Sequence, residues 1–589
     1  MLNRRYQLLL LAAIVIAAYY PAVLANFSQI DDAQLAEYYR NVQGSSVWAD
    51  FIPFRSGGLY YRPMIGFSFF FDKYILGLSP GLMHLENILL HLLNAVLVYF
   101  LTRELIPHQD RNKSFLPLLA ALLFGLHPIN TESTNWISGR TDLLAGMFLL
   151  ASTVILLRYR ELHENKYLRL SLVAFFGGVL TKETSLAFLP GAFMMIKAAH
   201  HDDCLPELSK SLHKTSSPHH SVKLAIGGLG VVLLFMALRS FAFSSNASRI
   251  GMTLQAVTAD WFHAMFVVLR AFGFYVKKMV VPLPLNFAIV EIDPLYEVLA
   301  VPVVMLCIYI MSRNTLRGAV FTTGVLLIAP AFIIAFGQIA WTPYAERYLY
   351  VPSAFLIISS VVFLHDKMSS FNARGKFILL ALLTVMFVIT LNRSIIWQND
   401  LKLCEETVKV SPMARYIRLV YSGLLAEKEE YAAAMKQLEE GKSLPSLAYD
   451  ERFDLSTAQL YYKQGKIDNA IAATEIALNK SNGSSTQALK YMIDLLEIKK
   501  KGMEKPSEKN ILNKRIFSYH LALYKSSHDP QVLYSLGVTA NELGDRRRAL
   551  GLFNQAVNNL SDGEHVKLLA KREIEKITRS RDSLYDKQH

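Results

Sequence analysis

The sequence predicts an all-α fold in two parts: a polytopic helical membrane module of about eleven spans, followed by an α-solenoid of helical repeats. Of the 589 residues, 52% are hydrophobic and 34 are phenylalanine, which indicates that much of the chain lies in lipid. Apolar runs of about 20 residues, the length that crosses a bilayer, recur up to residue 392. Beyond this point the composition changes to charged, helical periodicity with internal repeats.

The candidate spans follow one another through the first two thirds of the chain. They lie near 6–25, 83–103, 115–131, 141–158, 168–181, 185–198, 223–243, 296–312, 318–337, 348–365 and 376–392. A further stretch, 256–282, is apolar but carries Asp260, Arg270, Lys277 and Lys278. Whether this stretch crosses the membrane decides the orientation of everything that follows it.

The distribution of basic residues favours an arrangement in which 256–282 does not cross. The loops around Arg313 and Arg374 then face the cytoplasm, while the loop 283–297, which contains no Lys or Arg, faces outward. We therefore predict a cytoplasmic N-terminus and exoplasmic repeats, in the periplasm or outside a bacterium, or in the ER lumen of a eukaryote. The formal charge of +13 follows from this topology, and no nucleic-acid partner is predicted.

The C-terminal repeats fit the tetratricopeptide pattern. In YSLGVTANELGDRRRALGLFNQAV the characteristic small and apolar positions are Leu536, Gly537, Gly544, Ala549, Phe553 and Ala556. Segments 458–478 and 421–441 repeat the pattern more loosely, and the basic segment 496–515 is either an insert or a drifted repeat. Stacked repeats present a concave groove suited to an extended peptide, and a scaffold that holds a partner subunit is an equal alternative.

These patterns give four predicted regions. A membrane module covers 1–395 and a connector 396–415. A tetratricopeptide domain covers 416–575, and a polar tail covers 576–589.

Two adjacent acids, Asp31 and Asp32, follow the first span in the stretch ANFSQIDDAQLAEYYR and lie outside the membrane in this topology. The segment DAQLAEYY predicts a short amphipathic helix, so one acid could serve as its N-cap. The second acid is then unexplained, because a desolvated pair of like charges is costly.

Other polar residues that interrupt apolar segments map to the same outer side. They lie in HPINTESTNWISGRTD (127–142), TKETS (181–185) and WTPYAERYLYVPS (341–353), together with Arg239. Ionisable residues at membrane depth are functional candidates. The alternative is mutual pairing that only holds helices together.

A carboxylate near cations at the outer lipid boundary suits transfer from a lipid-phosphate sugar. The cations stabilise the phosphate as the anomeric bond breaks, and the carboxylate removes the proton of the acceptor hydroxyl. The sequence contains no Gly-rich nucleotide loop, Walker motif or nucleophile elbow.

These motifs, in this order, resemble the transmembrane and tetratricopeptide repeat (TMTC-like) proteins of the GT-C superfamily of glycosyltransferases. The resemblance rests on IDDA, YYRPMIGFSFFFDKYILGLSPGLMHLENILLHLLNAVLVYFL, LLFGLHPINTESTNWISGRTDLLAG, TKETS and YAERYLYVPS, and on the C-terminal repeats. It implies a polyprenyl or dolichyl phosphate monosaccharide donor and O-glycosylation of a protein hydroxyl, with mannose the donor sugar in eukaryotic relatives. A glycan acceptor remains an alternative.

The resemblance also implies roles for individual residues. Asp31 and Asp32 occupy the acidic pair, with one of them as general base. The predicted donor or substrate ligands are Lys182, Glu183, Arg239, Glu346, Arg347, Glu132 and Arg140, of which Arg239 comes from its position alone and Glu132 and Arg140 have no assigned role. No cofactor is certain. An acidic pair can hold a divalent metal, although the sequence identifies no further ligand.

Two other functions compete with an inverting glycosyl transfer on the outer face. A non-enzymatic membrane scaffold would recruit partners through its repeats and use the acids only as caps and helix pairs. A lipid-sugar flippase would carry acids near the bilayer midplane of two repeated halves, and no such internal repeat is visible in the sequence.

Overall fold

The computed structural model describes residues 3–41, 61–107, 111, 114–198, 218–242, 260–337, 342–365, 372–445, 449–561 and 564–585. Within these ranges the regular structure is helical, apart from one isolated antiparallel bridge between Ile289 and Tyr344. The chain divides into two compact units, Met1–Ala414 and Arg415–His589.

The first unit contains seventeen α-helices among the residues described. They are α1 Arg4–Tyr19, α2 Asp32–Asn41, α3 Pro63–Phe71, α4 Pro80–Leu105, α5 Leu116–Gly125, α6 Thr131–Asn135, α7 Arg140–Leu162, α8 Asn165–Thr181, α9 Phe188–Lys197, α10 Pro218–Ala242, α11 Trp261–Val280, α12 Leu295–Ser312, α13 Leu316–Leu326, α14 Ala329–Gly337, α15 Tyr350–Phe363, α16 Ala373–Ile396 and α17 Asp400–Val410. Short 3-10 turns join several of them, including Glu183–Ala187 before α9 and Glu346–Leu349 before α15.

Eight helical segments in the described part of this unit are long and apolar enough to span a membrane. They are Arg4–Leu24, Pro80–Leu105, Ile137–Leu162, His219–Phe241, Leu295–Ser312, Leu316–Phe336, Glu346–Phe363 and Ala373–Ile396. The first unit therefore has the helices of a multi-pass membrane protein.

The count of about eleven predicted spans differs from these eight because three predicted spans form shorter helices. The spans near 115–131, 168–181 and 185–198 correspond to α5, α8 and α9. Polar residues end α5 and α8 before the predicted length is reached. Helix α5 stops just before His127, which caps the next turn through its side chain, and α8 stops at Lys182, whose backbone is extended.

The segment 256–282 forms α11 in its described part. It is not one of the eight apolar helices, since it carries Arg270, Lys277 and Lys278. Arg270 forms an ion pair with Glu297 at the start of α12. Its placement at the outer interface or as a re-entrant helix stays a prediction.

The interior of the first unit combines apolar packing with buried polar side chains. Tyr350, at the start of α15, is fully buried in the main hydrophobic cluster. Its hydroxyl lies 2.8 Å from Nδ1 of His91 and accepts a hydrogen bond of 3.0 Å from Nδ2 of Asn94, both on α4. These bonds fix the start of α15, and with it the preceding turn that carries Glu346 and Arg347.

The second unit contains four helical hairpins and a final helix in the part that the structure describes. The hairpins are α18 Arg415–Glu427 with α19 Tyr431–Ser443, α20 Arg452–Lys463 with α21 Ile467–Lys480, α22 Thr486–Lys501 with α23 Pro506–Ser527, and α24 Pro530–Glu542 with α25 Arg546–Asn559; α26 is His565–Tyr585. The basic segment 496–515 lies in the third hairpin, across the end of α22 and the start of α23, and its origin as a drifted repeat stays a prediction. Helix α26 includes the first residues of the predicted polar tail, and residues 586–589 lie outside the described part.

The packing around Gly537 in the fourth hairpin explains why the repeat pattern has a glycine at this position. A Cβ at Gly537 would lie 2.6 Å from Cε1 of Phe553, which is fully buried against α24. The absence of a side chain at Gly537 therefore allows α24 and α25 to approach closely.

We expect Gly537→Ala to destabilise this hairpin by about 1–3 kcal/mol, because the added methyl group overpacks Phe553. Gly551→Ala is the matched control, since a Cβ there meets nothing within 4 Å and alanine has the higher helix propensity. Hydrogen exchange of the full chain, followed on peptides from α24 and α25, measures both effects. Equal protection in the two variants would contradict the packing argument.

Candidate active site

The loop that carries the acidic pair is held at a fixed place on the first unit. Oδ1 of Asp400, the first residue of α17, accepts a hydrogen bond of 3.0 Å from Oγ of Ser28. Its Oδ2 accepts one of 2.7 Å from the backbone N–H of Gln29. The acids two and three residues further on are therefore positioned from a helix far away in the sequence.

Asp32 is held by Ser138 and does not cap α2. Its Oδ1 accepts hydrogen bonds from the backbone N–H (3.0 Å) and Oγ (2.7 Å) of Ser138. Its Oδ2 is buried and has no hydrogen-bond partner in the described structure, and only 1% of the residue is exposed. Burial raises the pKa of Asp32 to about 7, although the bonds from Ser138 oppose this shift. Of the two acids that the sequence offered as the N-cap, Asp32 therefore does not fill this role.

Asp31 differs from its neighbour because its carboxylate is partly exposed. The side chain makes no hydrogen bond to any described residue, and the nearby cation that acts on it is Arg347. Burial raises the pKa of Asp31, and the positive charge of Arg347 opposes the shift. Asp31 is thus the accessible member of the pair.

Arg347 is paired with Glu132. Its Nη1 and its backbone N–H both donate to the Glu132 carboxylate, the latter at 3.0 Å. Its Nη2 donates to Oγ1 of Thr342 at 3.2 Å, and its guanidinium lies 5.4 Å from the ring centre of Trp136. The structure therefore brings two predicted site residues, Glu132 and Arg347, together as one ion pair.

Lys182 is paired with a residue that the sequence did not single out. Its Nζ lies 2.5 Å from Oδ1 of Asp142 on α7, and burial lowers its pKa while Asp142 opposes the shift. The ammonium lies 5.7 Å from the ring centre of Tyr348, and Arg347 lies 5.1 Å from the same ring. Tyr348 thus joins the Lys182 and Arg347 pairs. Its only sequence signal is its place beside Arg347.

Glu183 holds two arginines. Arg62 donates to its Oε2 from Nη2 at 2.9 Å and from Nε at 3.1 Å, and Nη1 of Arg239 lies 3.2 Å from its Oε1. Although burial raises the pKa of Glu183, these arginines lower it below its usual value. Sequence reasoning missed Arg62, whose only signal is its position in YYRP at the start of an apolar helix.

A narrow crevice opens beside the Lys182 and Asp142 pair. Its polar side includes Tyr348, Thr184 and Ser185. Its other side is apolar and is contributed mainly by the α13 to α14 region and α15, with Leu327, Pro330, Ala331, Ile334, Val351 and Pro352. The crevice therefore combines a cation at one wall with an aliphatic surface opposite.

Two predicted site residues lie in other buried clusters. Glu346, 2% exposed, pairs with Lys278 of α11 at 2.6 Å and accepts from the backbone N–H of Asn286 at 2.9 Å. Arg140 is fully buried and pairs with Asp72 at 2.5 Å and with Glu86 at 3.1 Å. Neither residue belongs to the ion pairs of Lys182, Glu183 or Arg347, and their assignment as donor ligands stays a prediction.

The described residues contain no cluster of three or more His, Cys, Asp or Glu side chains placed to hold a metal ion. Asp31 and Asp32 share no third acidic or histidine neighbour of that kind. The arrangement instead supplies positive charge from Arg and Lys side chains, each held by a carboxylate.

Sequence comparisons identify relatives of this chain. No family model matches the chain. Protein O-mannosyl-transferase F38B6.6 of Caenorhabditis elegans is 25% identical over 364 residues, which cover 60% of this chain and 49% of the relative. Human protein O-mannosyl-transferase TMTC4 is 25% identical over 423 residues, covering 64% and 57%. Human TMTC1 is 39% identical over 92 residues, covering 15% and 10%.

The chain spans about half the length of the first two of these curated relatives. Among solved structures, the tetratricopeptide protein YrrB aligns with 36% of this chain and 96% of its own at 16% identity, with a TM-score of 0.23. That value is too low to support an argument. The sequence similarity covers about 60% of the chain, so the resemblance to the TMTC proteins is confirmed and this chain is TMTC-like.

Proposed function

We propose that the first unit is a glycosyltransferase that moves a monosaccharide from a polyprenyl or dolichyl phosphate donor to a hydroxyl group, most simply of a protein Ser or Thr. The relatives are named protein O-mannosyl-transferases, which supports the class of reaction. The observation that carries the proposal is Asp31, an accessible carboxylate beside a cluster of paired cations.

In the proposed step, the Asp31 carboxylate takes the proton of the acceptor hydroxyl as its oxygen attacks the anomeric carbon. The bond from that carbon to the phosphate oxygen breaks, and its electron pair leaves with the lipid phosphate. Because attack and departure occur on opposite faces of the sugar in a single displacement, the configuration inverts.

Arginine and lysine side chains near Glu183 and Lys182 would stabilise the departing phosphate. Arg62 and Arg239 both pair with the Glu183 carboxylate. Charge-assisted hydrogen bonds from guanidinium to phosphate are short and strong, particularly where water is excluded. Lys182 lies at the crevice, where the aliphatic wall would accept the first isoprene units of the carrier lipid.

Asp32 would act as a positioning residue. Its bonds to Ser138 tie the acid loop to the turn before α7, the helix that also carries Asp142. Asp31 is thereby kept beside Arg347, with its carboxylate open to an acceptor. The proposed location is the exoplasmic face, with the N-terminus in the cytoplasm, in keeping with the positive-inside rule.

We expect Asp31→Asn to lower sugar transfer on the order of 10²–10⁴-fold, since the general base is lost. Purified full-length protein would be offered a panel of synthetic polyprenyl phosphate sugars and acceptor extract, with and without chelator, and release of lipid phosphate measured. Glu37→Gln, at an exposed acid on α2, the helix that begins directly after Asp31, is the control with full activity.

If Asp31→Asn, Asp32→Asn and the double variant all transfer sugar at the wild-type rate, the assignment of a general base to this acidic pair is wrong. If folded wild-type protein releases no lipid phosphate from any donor of the panel, the result favours the alternative. The alternative is a membrane scaffold that acts through its tetratricopeptide unit.

We expect Arg62→Gln to lower kcat/KM for the lipid-linked donor about 10- to 100-fold, because a charge-assisted bond to phosphate is lost. Arg239 would still neutralise Glu183, so the fold is retained. Arg158→Gln is the matched control. Arg158 lies near the C-terminal end of α7 and is likewise paired with a carboxylate, that of Glu104. Equal donor kinetics for wild type and Arg62→Gln would remove Arg62 from the donor site.

The raised pKa of Asp32 gives a prediction that needs no substrate. The unfolded carboxyl ionises near pH 4 and the folded one at about 7, so this group's contribution to stability falls as pH rises between these values. Asn keeps the acceptor for Ser138 but never ionises. We therefore expect Asp32→Asn to stabilise the protein at pH 8, by a few kcal/mol at most, and by roughly a third of that amount at pH 5.

Thermal unfolding of both proteins in detergent at the two pH values measures this difference. Glu37→Gln should shift the melting temperature equally at both pH values, because its side chain is exposed. A destabilised Asp32→Asn variant at pH 8 would show that the charged form is the favoured one.

A further inference from the structure

The tetratricopeptide unit contains a recess whose residues take no part in the proposed transfer site. It has a volume of about 410 Å³ and is formed by α20 and α22. Its lining residues are Tyr462, Tyr491, Asp494, Leu495, Glu497, Ile498 and Lys501. Both helices are the first of their hairpins, and the first helices of stacked hairpins line the concave groove of a tetratricopeptide array. The recess therefore opens on the face along which an extended chain would lie.

The recess contains one carboxylate that no cation compensates. Asp494 is exposed and forms no ion pair with any described residue. Glu497, one helical turn away, is already paired with Lys500 at 2.7 Å, and Lys500 also pairs with Glu542 at 2.8 Å. Partial burial and Glu497 both raise the pKa of Asp494. Apart from these groups, the lining includes Lys501, one further turn along α22.

Two tyrosines are the aromatic residues that line the recess. Tyr462 is 42% exposed and presents its ring to the recess. The hydroxyl of Tyr491 is buried without a hydrogen-bond partner among the described residues. Aromatic faces beside an uncompensated carboxylate are the surroundings that a lysine or arginine side chain prefers, through cation-π contact and an ion pair.

We propose that this recess binds the lysine or arginine side chain of an extended peptide lying in the groove. The aliphatic stem of such a side chain would pack on Leu495 and Ile498, and its charged end would meet Asp494. Tyr491 would also contact the stem of this side chain. The occupant is therefore a polypeptide with a basic residue, and the recess sets where along the groove that residue sits.

An array of 12-residue peptides tests this inference with the full-length protein in detergent. All peptides carry the same randomised flanks and differ only at the central position, which is Arg, Lys, Gln or Glu. We expect wild-type protein to bind the Arg and Lys series about tenfold more tightly than the Gln series, and the Glu series least.

Two variants and one control connect the preference to the recess. Asp494→Asn should abolish the preference for basic peptides, and Tyr462→Ala should weaken it several-fold. Glu439→Gln, at an exposed acid on the second helix of the first hairpin, should behave as wild type. Hydrogen exchange of α22 confirms that each variant is folded.

Equal binding of the four series, tighter binding of the Glu series through Lys501, or a preference that survives Asp494→Asn would each overturn the inference. The measurement uses no sugar donor, so its failure leaves the proposed transfer reaction untouched.

Discussion

The structure of the first unit depends on one constraint, which is that charge buried away from water must be compensated. Removing one partner of a buried ion pair typically costs several kcal/mol, because the remaining charge is stranded. The unit meets this constraint with cation and acid pairs from distant parts of the sequence. Glu132 holds Arg347, Asp142 holds Lys182, and Glu183 holds Arg62. Each pair also connects a turn between two helices to a neighbouring element of the unit.

Asp31 is the informative exception to this rule. Its neighbour Asp32 satisfies the constraint in another way, because two bonds from Ser138 and a raised pKa reduce the cost of its burial. Asp31 has no such bond and keeps solvent access beside Arg347. A group that the fold leaves uncompensated next to compensated ones is where a reacting molecule can find a base. The adjacent acids that the sequence leaves unexplained thus have different environments and different proposed roles.

Much of this arrangement could be predicted from local sequence, and the rest depends on contacts over long separations. The repeats were visible because Gly537 and Phe553 must meet within one hairpin, and the acids because they interrupt apolar periodicity. Arg62, Ser138 and Asp400 were not predicted as site residues, since their partners lie 106 to 372 residues away. Glu346 and Arg347 are adjacent in sequence yet join different pairs, because successive side chains of a 3-10 turn point about 120° apart.

The pairing of cations with acids also bears on how a phosphate would enter. In the described contacts the cations near Lys182 are already bound to carboxylates, so a donor phosphate would compete for them and not meet bare charges. Such exchange costs less at Glu183, where one carboxylate serves Arg62 and Arg239, than at the one-to-one pair of Lys182 with Asp142. A phosphate that takes one arginine still leaves Glu183 neutralised by the other. In the proposed reaction, the two-arginine group would therefore receive the leaving phosphate without stranding Glu183.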